Sequence, residues 1–270
     1  MDLAAGEILG DRYRVAEVIG FGGAGDVYRV DDLQFGSVRA LKLLYEDQLA
    51  TSVLRQRFLT EARIMAELQH PNVLPVYELG EHRGRVYSVM EYSPLGSVRE
   101  YFHGGQPGPR EAVDVAVQVL AALECAHDNG CIHRDVKPAN VLRFDDGLCK
   151  LADFGVARYD ADGVGRHTRT GDYLGTLGYM SPEQRADPRQ VAPAADLYAA
   201  GAMLFTLLAG TSRPPPDLYA LEVDCERLPD APAEVCAVVE RATRSRATDR
   251  YEDAASMRRA LEDARQRAFS

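Results

Sequence analysis

"IGFGGAGDVYRV" occupies Ile19–Val30. Gly20, Gly22 and Gly25 fit G-x-G-x-x-G, and Gly23 adds a fourth glycine. Glycines at this density let backbone N–H groups approach a phosphate closely. The spacing alone leaves three readings open: the first turn of a dinucleotide-binding βαβ unit, a hairpin over phosphates, and a plain tight turn. The residues immediately after the glycines discriminate. A dinucleotide fold opens a helix there, whereas "DVYRVDD" places Val27, Tyr28 and Val30 in a strand-like pattern. The glycines therefore cap a hairpin. A Walker P-loop needs Gly-Lys-Ser/Thr, which Gly25-Asp26-Val27 does not supply.

Around the hairpin, "YRVAEVIG", "SVRALKLL" and "RVYSVMEY" also read as strands. "TSVLRQRFLTEARIMAEL" (51–68) interrupts them with apolar residues at helical spacing and ends at Pro71. From about residue 97 the pattern becomes helical. "PREAVDVAVQVLAALECAHDNG" is amphipathic, with Pro109 near its start and Asn129-Gly130 as a stop. "NVLRF" and "CKLAD" read as short strands around "DDG". Residues 156–182 read as a long polar loop, and loops of that length are usually functional. Helices return at 193–209, about 232–243 and about 252–267. The fold class is α+β and bilobal: a small antiparallel-sheet lobe (about 11–90) with one key helix, a hinge (about 91–96), and a larger helical lobe (about 97–268). Nucleotides favour such interdomain clefts.

Composition narrows the function classes. The chain has 270 residues, 46% hydrophobic, and a formal net charge of −10. That balance speaks against binding nucleic acid through phosphate contacts. Five cysteines, none in C-x-x-C spacing, read as free thiols in a reducing compartment. The N-terminus lacks signal-peptide character. The most apolar run, 194–210, is short for a membrane span and carries Asp196, so it reads as a core helix without membrane contact. These features place the chain in the cytoplasm, alone or as the cytosolic part of a longer, membrane-anchored protein.

Lys42 lies inside the strand "VRALKLL", where a half-buried lysine needs an anionic partner. Glu61, in the following helix, is the candidate. A solvated helix face beside an unrelated lysine is the plainer alternative for this pair alone. "CIHRDVKPAN" (131–140) and "LADFGVA" (151–157) are far more specific. With them the sequence resembles the eukaryotic-type protein kinase superfamily, serine/threonine branch, from about Tyr13 to Leu261. "HRDVKPAN" and "GTLGYMSPEQ" look most like the bacterial members.

The resemblance implies roles residue by residue. Gly20, Gly22 and Gly25 match the loop over the ATP phosphates. Lys42 matches the lysine on the α/β-phosphates, and Glu61 its partner. Asp135 matches the catalytic aspartate, and Lys137 the lysine that neutralises the transferring phosphate. Asn140 and Asp153 match the Mg²⁺ ligands, with Mn²⁺ a substitute. Val27, Ala40 and Leu142 match the residues that sandwich adenine, and Met90 gates the back of that pocket. Backbone groups of Glu91 and Tyr92 to Ser93 would bond the adenine edge. Met65, Tyr77, His133 and Phe154 are expected to form an apolar stack linking the lobes. The form H-R-D-x-K and Thr176 point to serine/threonine acceptors on protein substrates.

Arg134 matches the arginine that pairs with a phosphorylated activation loop. Thr168 and Thr170 are the expected autophosphorylation sites, Thr170 preferred, with incidental loop threonines as the alternative. A homodimer could serve that reaction. Glu183 is expected to pair with Arg250, and Asp196 to bond the catalytic-loop backbone. Arg39 stands where the family usually has valine, Ala24 occupies a loop tip where the family often has a larger or aromatic residue, and 211–249 is shorter than usual, which puts substrate docking in doubt. The leading reading is an active protein kinase using Mg-ATP. A nucleotide-binding pseudokinase would usually lose Lys42, Asp135, Asn140 or Asp153, and all four are present. A small-molecule phosphotransferase would lack the "HRDxK" and "GT…SPE" pair.

Overall fold

The computed structural model describes residues 3–22, 25–45, 67–104, 108–154, 176–187, 191–211, 214–215, 218, 223–225, 228 and 230–270. These fall into two compact units. One holds the described residues up to Gln69 and Leu74–Pro94; the other holds His70–Val73, Leu95 to Phe154, and Thr176 onward.

The first unit is a six-stranded antiparallel sheet in the order β1-β2-β3-β4-β6-β5. Its strands are β1 (Ile8–Leu9), β2 (Tyr13–Phe21), β3 (Gly25–Asp32), β4 (Ser37–Leu44), β5 (Val76–His82) and β6 (Arg85–Glu91). Alternation along β3 and β4 sorts their side chains onto two faces. One face contributes Tyr28, Val30, Leu41 and Leu43 to a buried cluster that also holds Tyr13, Tyr87 and Val89. Across that unit, Arg12 forks onto Asp32 (2.7 Å) and Glu78 (2.8 Å). β1 and β5 were not expected from the sequence. β1 is two residues long, and "VYELGEH" mixes charge, glycine and apolar residues because β5 is an edge strand.

Tyr77 corrects the expected apolar stack. It is 49% exposed, and its ring lies 4.2 Å from the Arg39 guanidinium carbon. The adjacent Val76, register partner of Met90, is the less exposed of the two. A bulge between Val76 and Glu78 breaks the alternation that would have fixed the facing of this stretch. The same pair explains how Arg39 is accommodated: its charge rests on an aromatic face.

The second unit is mainly helical. Its helices are α1 (Val98–Gly104), α2 (Pro109–Asp128), α3 (Pro182–Ala186), α4 (Pro193–Leu208), α5 (Ala233–Ala242) and α6 (Ala254–Ala268). α2 stops where Gly130 takes φ +72°, as the Asn129-Gly130 signal implies. α4 is buried on every side from Ala195 to Leu207, the signature of a core helix. Among the described residues no helix is long and apolar enough to cross a membrane. α6 turns Ala254, Met257, Leu261 and Ala264 inward, and Arg258 reaches Glu124 of α2 at 2.9 Å. A hairpin of β7 (Val141–Arg143) and β8 (Cys149–Leu151) pairs Val141 with Leu151. All five cysteines are free. The short α3 lies at the end of the expected loop. Ser181 starts it by accepting the Gln184 N–H at 3.3 Å, with Pro182 in its first turn.

Candidate active site

In the sheet unit the glycine hairpin forms as expected. Gly22 N–H donates to Gly25 C=O at 3.0 Å, and Gly20 registers with Val27 across β2 and β3. A Cβ on Gly25 would sit 2.2 Å from the Leu43 carbonyl oxygen, so that position admits only glycine. A Cβ on Gly20 would meet Val27 Cβ at an ordinary 3.8 Å. Local packing therefore demands Gly25 but not Gly20. Val27 registers with Lys42, and Ala40 with Met90. Ala40 and Lys42 are two apart on β4, so these four share one face. Lys42 is half-buried there, while Ala40 and Met90 are buried. Glu91 ends β6 and donates its N–H to Pro75 C=O at 3.3 Å; Ser93 lies two residues further on. Glu61 and Met65 lie outside the described residues, as do Gly23 and Ala24.

In the helical unit one carboxylate organises the HRD segment. Asp196, 1% exposed on α4, accepts the backbone N–H of His133 on Oδ2 (2.8 Å) and of Arg134 on Oδ1 (2.7 Å). His127 of α2 also reaches Oδ2, at 2.8 Å. These bonds hold Arg134 at φ +66°, a left-handed backbone uncommon outside glycine. Gln184 of α3 donates to the Arg134 carbonyl at 2.8 Å. His133 is buried between Ala152 C=O (3.0 Å from Nε2) and Asp135 N–H (3.2 Å from Nδ1). A carbonyl on one nitrogen and an N–H on the other fix a neutral ring with its proton on Nε2. Burial pushes the His133 pKa below the usual histidine value, against the opposing charge of Asp196. Its ring centroid lies 4.4 Å from that of Phe154.

The polar cluster is built from a few neighbouring residues. Lys137 Nζ is 2.9 Å from Asp135 Oδ2 and donates to Thr176 Oγ1 at 3.1 Å. Asn140 Nδ2 donates to Asp135 C=O at 2.8 Å and to Asp135 Oδ2 at 3.1 Å. Asn140 precedes β7 and Asp153 comes after β8. The pairing of Val141 with Leu151, and Ala152 N–H on Asn140 C=O at 2.8 Å, bring both to one end of the hairpin. Asp153 takes φ +57° and is exposed. Leu142, on β7, bridges to Ser97. Thr168 and Thr170 lie outside the described residues.

Arg250 is buried and binds Glu183 in a fork of 2.6 and 2.8 Å. Burial acts to raise the Glu183 pKa, but the Arg250 hydrogen bonds and charge outweigh it, and the net shift is downward.

Sequence reading missed His127, Gln184 and Arg185. His127 falls on the buried face of α2 with Leu120 and Leu123, and a histidine there needs a polar partner. Arg185 donates to the carbonyls of Leu177 (2.7 Å), Met180 (3.0 Å) and Leu218 (2.8 Å). No local pattern signals those contacts, because the partners are backbone carbonyls, which carry no residue-type signal, and Leu218 is 33 residues away in sequence.

The family model described as protein kinase domain matches residues 13–228. A probable serine/threonine-protein kinase of Streptomyces coelicolor is 39% identical over 212 residues, 77% of this chain and 31% of that protein. Serine/threonine-protein kinase PknB of Mycobacterium tuberculosis is 35% identical over 266 residues, 93% of this chain and 42% of that protein. The chain thus spans well under half the length of these curated relatives. The crystal structure of the M. tuberculosis PknI kinase domain matches with TM-score 0.80 at 28% identity, covering 97% of this chain and 100% of that one.

Proposed function

Because the chain belongs to the protein kinase domain family, we propose that it is a serine/threonine protein kinase, transferring the γ-phosphoryl group of ATP to hydroxyls of protein substrates. The observation that carries this reading is the cluster of Asp135, Lys137, Asn140 and Thr176. It sets a partly exposed carboxylate beside a cation, with both orientations fixed by hydrogen bonds. Asp135 accepts the proton of the acceptor hydroxyl as its oxygen bonds to the γ-phosphorus and the bond to the β-phosphate oxygen breaks. Lys137 offsets negative charge on the group in transit. Thr176 holds Lys137 in place. On the sheet unit, Lys42 is assigned to the α/β-phosphates with Glu61 as its partner. The glycine hairpin is assigned to cover the phosphates. Val27, Ala40, Met90, Leu142 and backbone groups of Glu91 and Ser93 are assigned to adenine.

The donor set fits Mg²⁺. Among the described residues no three His, Cys, Asp or Glu side chains cluster to hold a metal alone. Magnesium in phosphoryl-transfer sites instead takes one or two protein oxygens plus substrate phosphates. Asn140 directs Nδ2 at Asp135, which leaves Oδ1 as its ligand atom, and Asp153 supplies a carboxylate at the same end of the hairpin. When bound, the ion neutralises phosphate charge.

Retention of Lys42, Asp135, Asn140 and Asp153 favours catalysis over a pseudokinase. The reading extends to autophosphorylation at Thr168 or Thr170, with Arg134 as phosphate partner. Mass spectrometry after incubation with Mg-ATP tests that part, and an active enzyme with both threonines bare overturns it. The main test is transfer from radiolabelled ATP to a generic protein acceptor by wild type and Asp135→Asn. Loss in the variant supports the assignment; equal incorporation overturns it.

A further inference from the structure

Asp26 and Tyr45 meet where the glycine hairpin joins the strand of Lys42. Asp26, the second residue of β3, is 4% exposed, and its Oδ1 accepts from Tyr45 Oη at 2.5 Å. That length belongs to a charge-assisted O–H···O⁻ bond. A buried carboxylate requires such a partner. Tyr45 is the first residue past β4. Its predecessor Leu44 offers its carbonyl to Nε of the buried Arg85 at 2.9 Å, and the Arg85 guanidinium lies 6.0 Å from the Tyr45 ring. One residue earlier, the Leu43 carbonyl is the atom that excludes any side chain at Gly25. The end of the lysine strand and the residue after it are thus held by the returning arm of the hairpin: Leu43 and Leu44 through the ladder and Tyr45 through Asp26.

Asp26 alternates with Val27, so its side chain lies on the face of Tyr28 and Val30, away from the face shared by Val27 and Lys42. Any influence on a phosphate must pass through the backbone. Gly25 lies one residue before Asp26, and Lys42 three residues before Tyr45. The β3–β4 ladder already pairs Val27 with Lys42 and Gly25 with Leu44, and the bond between Asp26 and Tyr45 adds a side-chain tie at the end of that ladder nearest the glycines.

We propose that the Asp26–Tyr45 bond is a latch that fixes the stance of the glycine hairpin relative to Lys42, making both residues positioning residues for nucleotide phosphate. This rests on the reading of the hairpin and Lys42 as phosphate-binding. The test compares wild type, Tyr45→Phe, Asp26→Asn and the double variant. Readouts are hydrogen exchange of peptides covering 19–28, affinity for Mg-AMP-PNP, KM and kcat for ATP, and melting temperature.

Tyr45→Phe is expected to speed exchange in 19–28 and raise KM for ATP by about tenfold each, with kcat falling less. Exchange in α2 stays unchanged, and the double variant is no worse than either single one. Should Asp26→Asn not fold, Tyr45→Phe alone carries the test, since it removes a single oxygen. Additive effects in the double variant overturn the latch. So does a lowered melting temperature with unmoved KM and exchange raised throughout the sheet, which marks a merely structural bond. A wild-type chain that binds no AMP-PNP overturns the functional reading and the positioning role with it. Normal wild-type binding with unmoved variant exchange and affinity overturns the latch alone.

Discussion

Asn140 holds Asp135 twice with one atom: Nδ2 donates to its carbonyl at 2.8 Å and to its carboxylate at 3.1 Å. The backbone and the side chain of the proposed base are thereby fixed against each other. Asp135→Asn keeps an oxygen to accept from Asn140 but loses the charge beside Lys137. Phosphate transfer is expected to fall by about 10²–10⁴-fold with the melting temperature nearly unchanged. Initial rates with labelled ATP, paired with thermal scans, check this. A variant that stays active shows that another group takes the proton.

Asp196 carries a heavier structural burden. Asp196→Ala removes the acceptor for the His133 and Arg134 N–H groups and for His127. Bonds to a charged acceptor contribute roughly 1.5–3 kcal/mol each, so a loss of about 3 kcal/mol or more is expected. The left-handed backbone of Arg134 then loses the carboxylate bound to its N–H, and transfer activity falls as well. Urea unfolding at constant pH measures the first effect. A loss under about 1 kcal/mol would mean the loop is held from elsewhere.

The glycines of the hairpin separate by the same logic. Gly25→Ala forces a Cβ to within 2.2 Å of the Leu43 carbonyl, so β3 and β4 must part. Gly20→Ala adds only an ordinary contact at 3.8 Å. The first is expected to destabilise by roughly 1–3 kcal/mol, as overpacking does. The second is expected to leave stability alone and, on the proposed reading, to weaken nucleotide binding. Equal melting temperatures for the two variants would contradict the packing argument.

Acid should lower stability over two pH ranges. His133 has a folded pKa below its unfolded value of about 6.5, because burial disfavours its charged form. Protonation therefore favours the unfolded chain, and stability falls as pH drops below about 6.5. Glu183 also has a depressed folded pKa. Its contribution is fully present above its ordinary value of about 4.3 and is lost as pH falls through the folded value. Unfolding midpoints from pH 7.5 to 4 test both ranges. Glu183→Gln should reduce the lower loss, which Asp32 and Asp253 share because their hydrogen bonds also depress their pKa values, and leave the upper one. Constant stability between pH 7 and 5 would contradict the assignment for His133.

Much of this was legible because the motif segments are local in sequence. "HRDVKPAN" places Asp135, Lys137 and Asn140 within six residues, and backbone geometry does the rest. The pairs Glu183–Arg250 and Asp196 with the HRD backbone were also readable, since a resemblance carries long-range partners that periodicity cannot. Tyr77 was misplaced because the resemblance alone assigned it and β5 was not read as a strand, while an offset of one residue moves a side chain to the other face. Arg185 was invisible for a different reason: its partners are carbonyls, which every residue has. Asp26 stood in the strand read from "DVYRVDD", and Tyr45 carried no reading at all. Only the register of β3 on β4 brings them together.

Arg250 has a consequence for how the molecule is made. Its Nε donates to the Arg244 carbonyl and its two terminal nitrogens to Glu183, Ala194 and Ser245. Ala194 opens α4, the helix that presents Asp196 to the HRD loop. A ribosome delivers residues in order, so the first turn of α4 emerges more than fifty residues before the arginine that ties it down. Until then the loop around Asp135 has its scaffold only in part. A nascent chain stalled at residue 245 should be cut readily by protease near Glu183, and one released after residue 268 should resist: the proposed catalytic centre is completed late in translation.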